Sequence, residues 1–196
     1  MEFRDTVLKR RMVRNFADKP VDMETIHRIL ELTRHAPSAG FTQGQSFIVI
    51  THPEMKRPIA DTCQEAEYVK SGFAPFISTA PVLLIPCTSE TAYHRRYQEA
   101  DKVNEDATEI DWPVPYWFMD IGCAVMIVLL ACIDEGLVTA FAGSKDLNRL
   151  RTLLNIPAEV TPVGVIAVGY RAPDLPSPSL KRGRKSDEEY IHRESW

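Results

Sequence analysis

The chain of 196 residues lacks the short signatures of the commonest nucleotide and hydrolytic chemistries: no G-x-x-x-x-G-K-[ST], G-x-G-x-x-G, H-E-x-x-H or G-x-S-x-G occurs. P-loop NTPases, a standard dinucleotide fold and the common hydrolases are thereby excluded. The five histidines (His27, His35, His52, His94 and His192) show no metal-ligand spacing, so no metal site is expected. The four cysteines form no C-x-x-C pair, and three lie in apolar runs, which reads as buried thiols without disulfide or zinc. The amino terminus has no apolar h-region, and the longest apolar run, 121–133, is shorter than the roughly 20 residues a bilayer requires. A soluble, cytoplasmic protein with no membrane partner is expected. Internal repeats and low-complexity blocks are absent too. With 44% apolar residues there is material for one sizeable core, hence one domain over 1–196.

Positive charge is in deficit, with 23 basic against 27 acidic residues and a net charge of -4, so the surface as a whole repels nucleic acid. Its distribution is uneven. Residues 9–14 (KRRMVR) and 181–185 (KRGRK) carry eight of the basic residues and no acid, which leaves the rest near -12. A fold that joins the two segments makes an anion site. Exposed helix ends, a solvated tail or a nucleic-acid arm are the competing readings of such runs, and the acidic remainder argues against the last. Arginine grips phosphate through a bidentate fork, and Arg10, Arg11, Arg14 and Arg184 offer several.

Periodicity alternates between helix and strand. Residues 21–36 predict an amphipathic helix with Asp22 as N-cap, stopped by Pro37. Residues 46–51 and 81–88 read as strands, with a single helix over 53–72 between them. Residues 116–136 are apolar nearly all round, as a central buried helix would be. A short strand over 137–142, a surface helix from 144 capped by Ser144, and a strand over 161–170 follow. The connection 88–115 is polar and rich in Tyr and Trp, and 171–196 is a Pro-rich basic tail. The class is three-layer α and β.

No set of side chains offers an acid, base or nucleophile, so a bound cofactor is expected to supply reactivity. In HAPSAGFTQGQSF (35–47) the small residues let backbone approach a flat ligand, with free N–H groups as donors to ring oxygens and nitrogens; a plain helix-to-strand loop is the alternative.

The ordered set LKRRMVRNF, ILELTRHAPSAGFTQGQSFIVIT, MDIGCAVMIVLLACIDEGLVTAF, PVGVIAVGY and KRGRKSDEEYIHRESW resembles the nitroreductase family of FMN-dependent oxidoreductases over nearly the whole chain, leaving 88–115 unmatched. The resemblance implies an α+β fold, three layers α/β/α with a mostly antiparallel central sheet, and a swapped homodimer with FMN at the subunit interface. It implies that Arg10 and Arg11, followed by Met12, hold the phosphate and ribityl chain. Arg14 then stands near the pyrimidine end as the charge that stabilises reduced flavin. Pro37, Ser38 and Ala39 of the partner would line the ring, Gly136 and Leu137 its other side, and Arg184 with Lys185 would clamp the phosphate. Met12 stands where the family commonly has Ser, Phe41 where it has Asn, Gln43-Gly44-Gln45 where it has Gln-Pro-Trp, and Val138 in place of a frequent second Gly. The activity implied is a ping-pong transfer of hydride from NAD(P)H through flavin to a nitroaromatic or quinone. Its rivals are a flavin-sequestering module without turnover, and a branch performing reductive dehalogenation, flavin fragmentation or deazaflavin chemistry. Tyr93, Tyr97, Trp112, Tyr116 and Trp117 are read either as an acceptor-stacking lid or as packing, and Phe41 and Phe141 as ring-side aromatics or packing.

Overall fold

A computed structural model describes all 196 residues. Five strands form one sheet, β1 (Gln45–Ile50), β2 (Val82–Thr88), β3 (Val138–Ala142), β4 (Thr161–Pro162) and β5 (Val165–Gly169), in the order β1-β2-β5-β3 with β4 also on β2. Every pairing is antiparallel. Successive residues of β2 point to opposite faces, and both faces are covered. Leu83, Ile85 and Cys87 join a core with α3 (Pro53–Thr62) and α7 (Leu147–Leu154), while Val82 and Leu84 join a second core with α2 (Met23–Thr33) and α6 (Tyr116–Asp134). This is the expected α+β fold of three layers.

Asp22 caps α2 as anticipated, accepting from the Glu24 N–H. Elsewhere the local structure differs from the sequence reading. The single helix over 53–72 is two, α3 and α4 (Glu65–Lys70), because Gln64 takes a left-handed φ of 55° between them. Asp146 caps α7 rather than Ser144, its carboxylate accepting from Arg149 N–H at 2.9 Å. The strand over 161–170 is split by Gly164 at φ 153°, where a Cβ would lie 2.5 Å from a Phe141 ring carbon. The connection 88–115 opens with helix α5 (Glu90–Arg96) capped by Ser89.

Helix α6 runs 19 residues with a mean hydropathy of 2.1 over its most apolar window, long and apolar enough by length and composition to cross a membrane. The helix thus extends on both sides of the 121–133 run from which the shorter length is expected. Burial accounts for the apolarity: Ile121, Ala124, Val128 and Cys132 pack between sheet and α2. Its outer side still shows Phe118, Met119 and Met126, and α1 (Phe3–Lys9) beside it exposes Phe3, Val7 and Leu8.

Candidate active site

Helix α1 ends at Arg10, whose N–H caps the Thr6 carbonyl. The chain then lies along the free edge of β3: Met12 bridges Thr139 in parallel, Val13 N–H donates to Thr139 O at 2.9 Å, and Met12 Sδ accepts from Phe141 N–H at 3.4 Å. Beyond it, Phe16 bridges Arg171 antiparallel, Ala17 N–H donates to Tyr170 O, and Asn15 Nδ2 donates to Pro173 O at 2.7 Å. That lacing folds the start of the tail back over residues 10–14. The two basic segments, some 170 residues apart in sequence, thus face each other across one cavity.

The cavity measures about 530 Å³. Its cations are Arg10, Arg11, Arg14, Arg171 and Arg184; its apolar wall is Met12, Val13 and Leu180. Asp174 is the one acid, and none of the five guanidiniums lies within ion-pair distance of any carboxylate in the protein. Arg11 donates only to backbone, to the Leu8 and Arg10 carbonyls. The Arg14 guanidinium sits over aromatic rings, 5.1 Å from the Phe73 centroid and 5.9 Å from those of Tyr68 and Phe76, which fixes its place without neutralising it. Convergent, unpaired guanidiniums repel one another, so the arrangement calls for an anion of more than one charge. A larger cavity of about 570 Å³ holds Lys56, but that buried ammonium already donates to the Ala80 and Pro81 carbonyls at 2.7 Å, and burial lowers its pKa.

Of the residues singled out from sequence, Arg10, Arg11, Met12, Arg14 and Arg184 come together here. Lys185 lies beyond the lining. Gly136 closes the end of α6 with a left-handed φ of 74°, its N–H on Ile133 O, and Leu137, 1% exposed, belongs to the α2/α6 core. Neither reaches the cavity within one chain. Pro37, Ser38 and Ala39 also lie outside it. Four of the turn's donors are used within the chain, Ala39 N–H on Asp120 Oδ2, Phe41 N–H on Ser38 O, Thr42 N–H on Ala39 O and Gln43 N–H on Ser38 Oγ, while the N–H groups of Ser38, Gly40 and Gly44 have no partner in it. The turn also presents the Phe41 ring, 75% exposed.

The aromatics of 88–117 pack on each other rather than over the arginine cavity. Trp112 stands at the centre, its ring centroid 4.6 Å from Tyr97, 5.8 Å from Trp117, 6.1 Å from Tyr116 and 6.3 Å from Tyr93. His94 Nδ1 lies 2.5 Å from Glu109 Oε1, and that hydrogen bond raises the His94 pKa. Glu109 also accepts from the Trp112 indole, which with His94 holds its carboxyl below the usual range. Phe141 is partly exposed and lies against Gly164.

Sequence reasoning missed Arg171, Asp174, Ser177 and Ser179 of the cavity, because a Pro-rich tail carries no period. It also missed Asp120, an acid isolated in the apolar run of α6, which was the available signal.

Fold and cavity together define an antiparallel three-layer α+β protein with an arginine-lined cavity at the sheet edge. The family model described as "Nitroreductase family" matches residues 7–170, and the chain belongs to that family. An iodotyrosine deiodinase of Nematostella vectensis is 28% identical, the match covering 92% of this chain and 71% of that protein; for the Rattus norvegicus iodotyrosine deiodinase 1 the share of its length is 66%. An Archaeoglobus fulgidus protein with the provisional name NADH dehydrogenase/NAD(P)H nitroreductase is 24% identical over 97% of this chain and 96% of its own. The crystal structure of oxidised iodotyrosine deiodinase bound to FMN and 3-iodo-L-tyrosine superposes with a TM-score of 0.74 at 21% identity, covering 99% of both chains.

Proposed function

We propose that the protein is a homodimeric, FMN-dependent oxidoreductase that reduces a small aromatic acceptor, nitro compound or quinone, at the expense of NAD(P)H. The observation that carries this reading is the convergence of Arg10, Arg11, Arg14, Arg171 and Arg184 on one cavity with no carboxylate partner. A dianionic phosphate joined to a flat apolar ring matches that donor set and its Met12, Val13 and Leu180 wall. Bound FMN supplies the two-electron chemistry that no side chain here offers.

Arg10 and Arg184 hold the phosphate from the two ends of the chain, and Arg14, fixed by its aromatic neighbours, adds positive charge for the ring. The apolar wall excludes water from the ring. The exposed Phe3, Val7, Leu8, Phe118, Met119 and Met126 form the face on which a second copy docks. Its 38–43 turn then completes the ring site. Reductant and acceptor take turns in that completed site. Four free cysteines, three of them buried, suit a reducing, cytoplasmic compartment.

A second reading, reductive dehalogenation of a halogenated aromatic, draws on the likeness to iodotyrosine deiodinases. Anaerobic titration of purified protein with NADH and NADPH, followed by addition of a nitroaromatic, a quinone or an iodophenol, separates the readings. Bleaching by a nicotinamide with recovery on the nitroaromatic or quinone supports the first. Recovery only on the iodophenol supports the second. Flavin that no nicotinamide bleaches opposes the NAD(P)H reading and leaves the sequestering module.

A further inference from the structure

We propose that Asp120 and Tyr93 are positioning residues that hold the 38–43 turn, so that Phe41 is presented outward as a wall of the partner subunit's acceptor site. The proposal rests on the reading of the site given above. Asp120 projects from α6, is 7% exposed, and gathers two donors on a single oxygen: Oδ2 accepts the Ala39 N–H at 2.9 Å and the Tyr93 hydroxyl at 2.7 Å. One carboxylate thereby ties the turn to α5 and to the central helix. The Tyr93 ring is fully buried, and its hydroxyl pKa is raised by burial and by Asp120, so it remains a donor.

The turn needs such a tie. Gly40, Phe41 and Gln43 all adopt left-handed φ values of 59°, 56° and 55°, and two of the three carry side chains that disfavour this region. Strain of that kind persists only where the surroundings over-determine it. Here α5 closes over the turn from outside. Arg96 Nε donates to Gly40 O at 3.0 Å, and Arg96 is itself held by Asp101 at 2.6 Å. A Cβ on Gly40 would stand 2.7 Å from a Tyr97 ring carbon, and one on Gly44 2.6 Å from a Tyr93 ring carbon. The aromatic insert 88–115 is thus a buttress behind the turn rather than a lid. With the Ala39 and Gln43 N–H groups tied down, the large apolar side chain that the turn leaves facing out is Phe41, 75% exposed.

The test uses the dimeric, full-length protein and two readouts. Amide exchange at residues 39–43 is followed in flavin-free wild type, D120A, D120N and Y93F. The acceptor KM and kcat are then measured with FMN bound, with F41A and D120A/F41A added. The expected result is exchange about tenfold to a hundredfold faster in D120A, with smaller changes in D120N and in Y93F, which keeps the ring. Acceptor KM rises in D120A and F41A with kcat little changed, and D120A adds nothing in the F41A background. Unchanged exchange in D120A and Y93F overturns the tie. Faster exchange with an unmoved KM, or KM effects that multiply in D120A/F41A, overturns the route through Phe41 while leaving an FMN-dependent wild type intact. Wild type that binds no FMN overturns the proposed function, and this inference with it. Should D120A fail to fold, Y93F and D120N decide by the same criteria.

Discussion

Replacing Arg184 and Arg10 by alanine, singly and together, perturbs the cavity where its two sequence segments meet. A charge-assisted hydrogen bond contributes about 1.5 to 3 kcal/mol, and less where solvent screens it. Arg184 is exposed and Arg10 half-buried, so R184A is expected to weaken FMN about fivefold and R10A about thirtyfold. The remaining guanidiniums of Arg11, Arg14 and Arg171 keep some affinity, so the double variant loses on the order of a hundredfold rather than all binding. Flavin fluorescence titration measures this directly, and riboflavin is the control because it shares the ring and lacks the phosphate. Its affinity should move less than about twofold. The FMN affinity of wild type should also fall more steeply with salt than that of the double variant. Equal losses for FMN and riboflavin, or none for FMN, would refute a phosphate clamp built from the two ends of the chain.

Two further outcomes follow from the placement of single residues. Leu137→Ala removes a fully buried core side chain and should cost about 2 to 5 kcal/mol by denaturant unfolding, with FMN affinity of the folded protein unchanged; a specific loss of FMN binding would return Leu137 to the flavin site. Because the Glu109 hydrogen bond raises the folded pKa of His94, its stabilisation is complete below the ordinary histidine pKa of about 6.5 and is lost as pH rises through the folded value. Thermal melts of wild type and H94Q should therefore differ more at about pH 6 than at about pH 8. A difference that grows with pH would contradict the pair.

The layers were legible because they follow from period. The 21–36 helix, its Asp22 cap and the apolar runs of β1, β2 and β5 all appear where pattern places them. Breaks were illegible where one residue turns the chain: Gln64 ends a helix by a left-handed φ that nothing in its composition announces. The arginine cavity was partly legible because unpaired cations stand out in an acidic chain, yet Arg171 joins it only through the backbone lacing of 15–17 onto 170–173. Gly136 and Leu137 carry a ring-lining role by likeness alone; within one chain Gly136 follows the end of α6 and the Leu137 side chain lies in the α2/α6 core. The aromatic insert could be read either way from sequence, since a stacking lid and a packed buttress share composition. Within this chain Tyr97 and Tyr93 pack close to Gly40 and Gly44, the contact on which the proposed buttress rests.

A crystal structure of the protein grown with FMN tests the central claim most directly. The account predicts the phosphate between Arg10 and Arg184 of one subunit, within hydrogen-bonding distance of both. Density for the phosphate at any other place, with those two guanidiniums facing solvent, would contradict it.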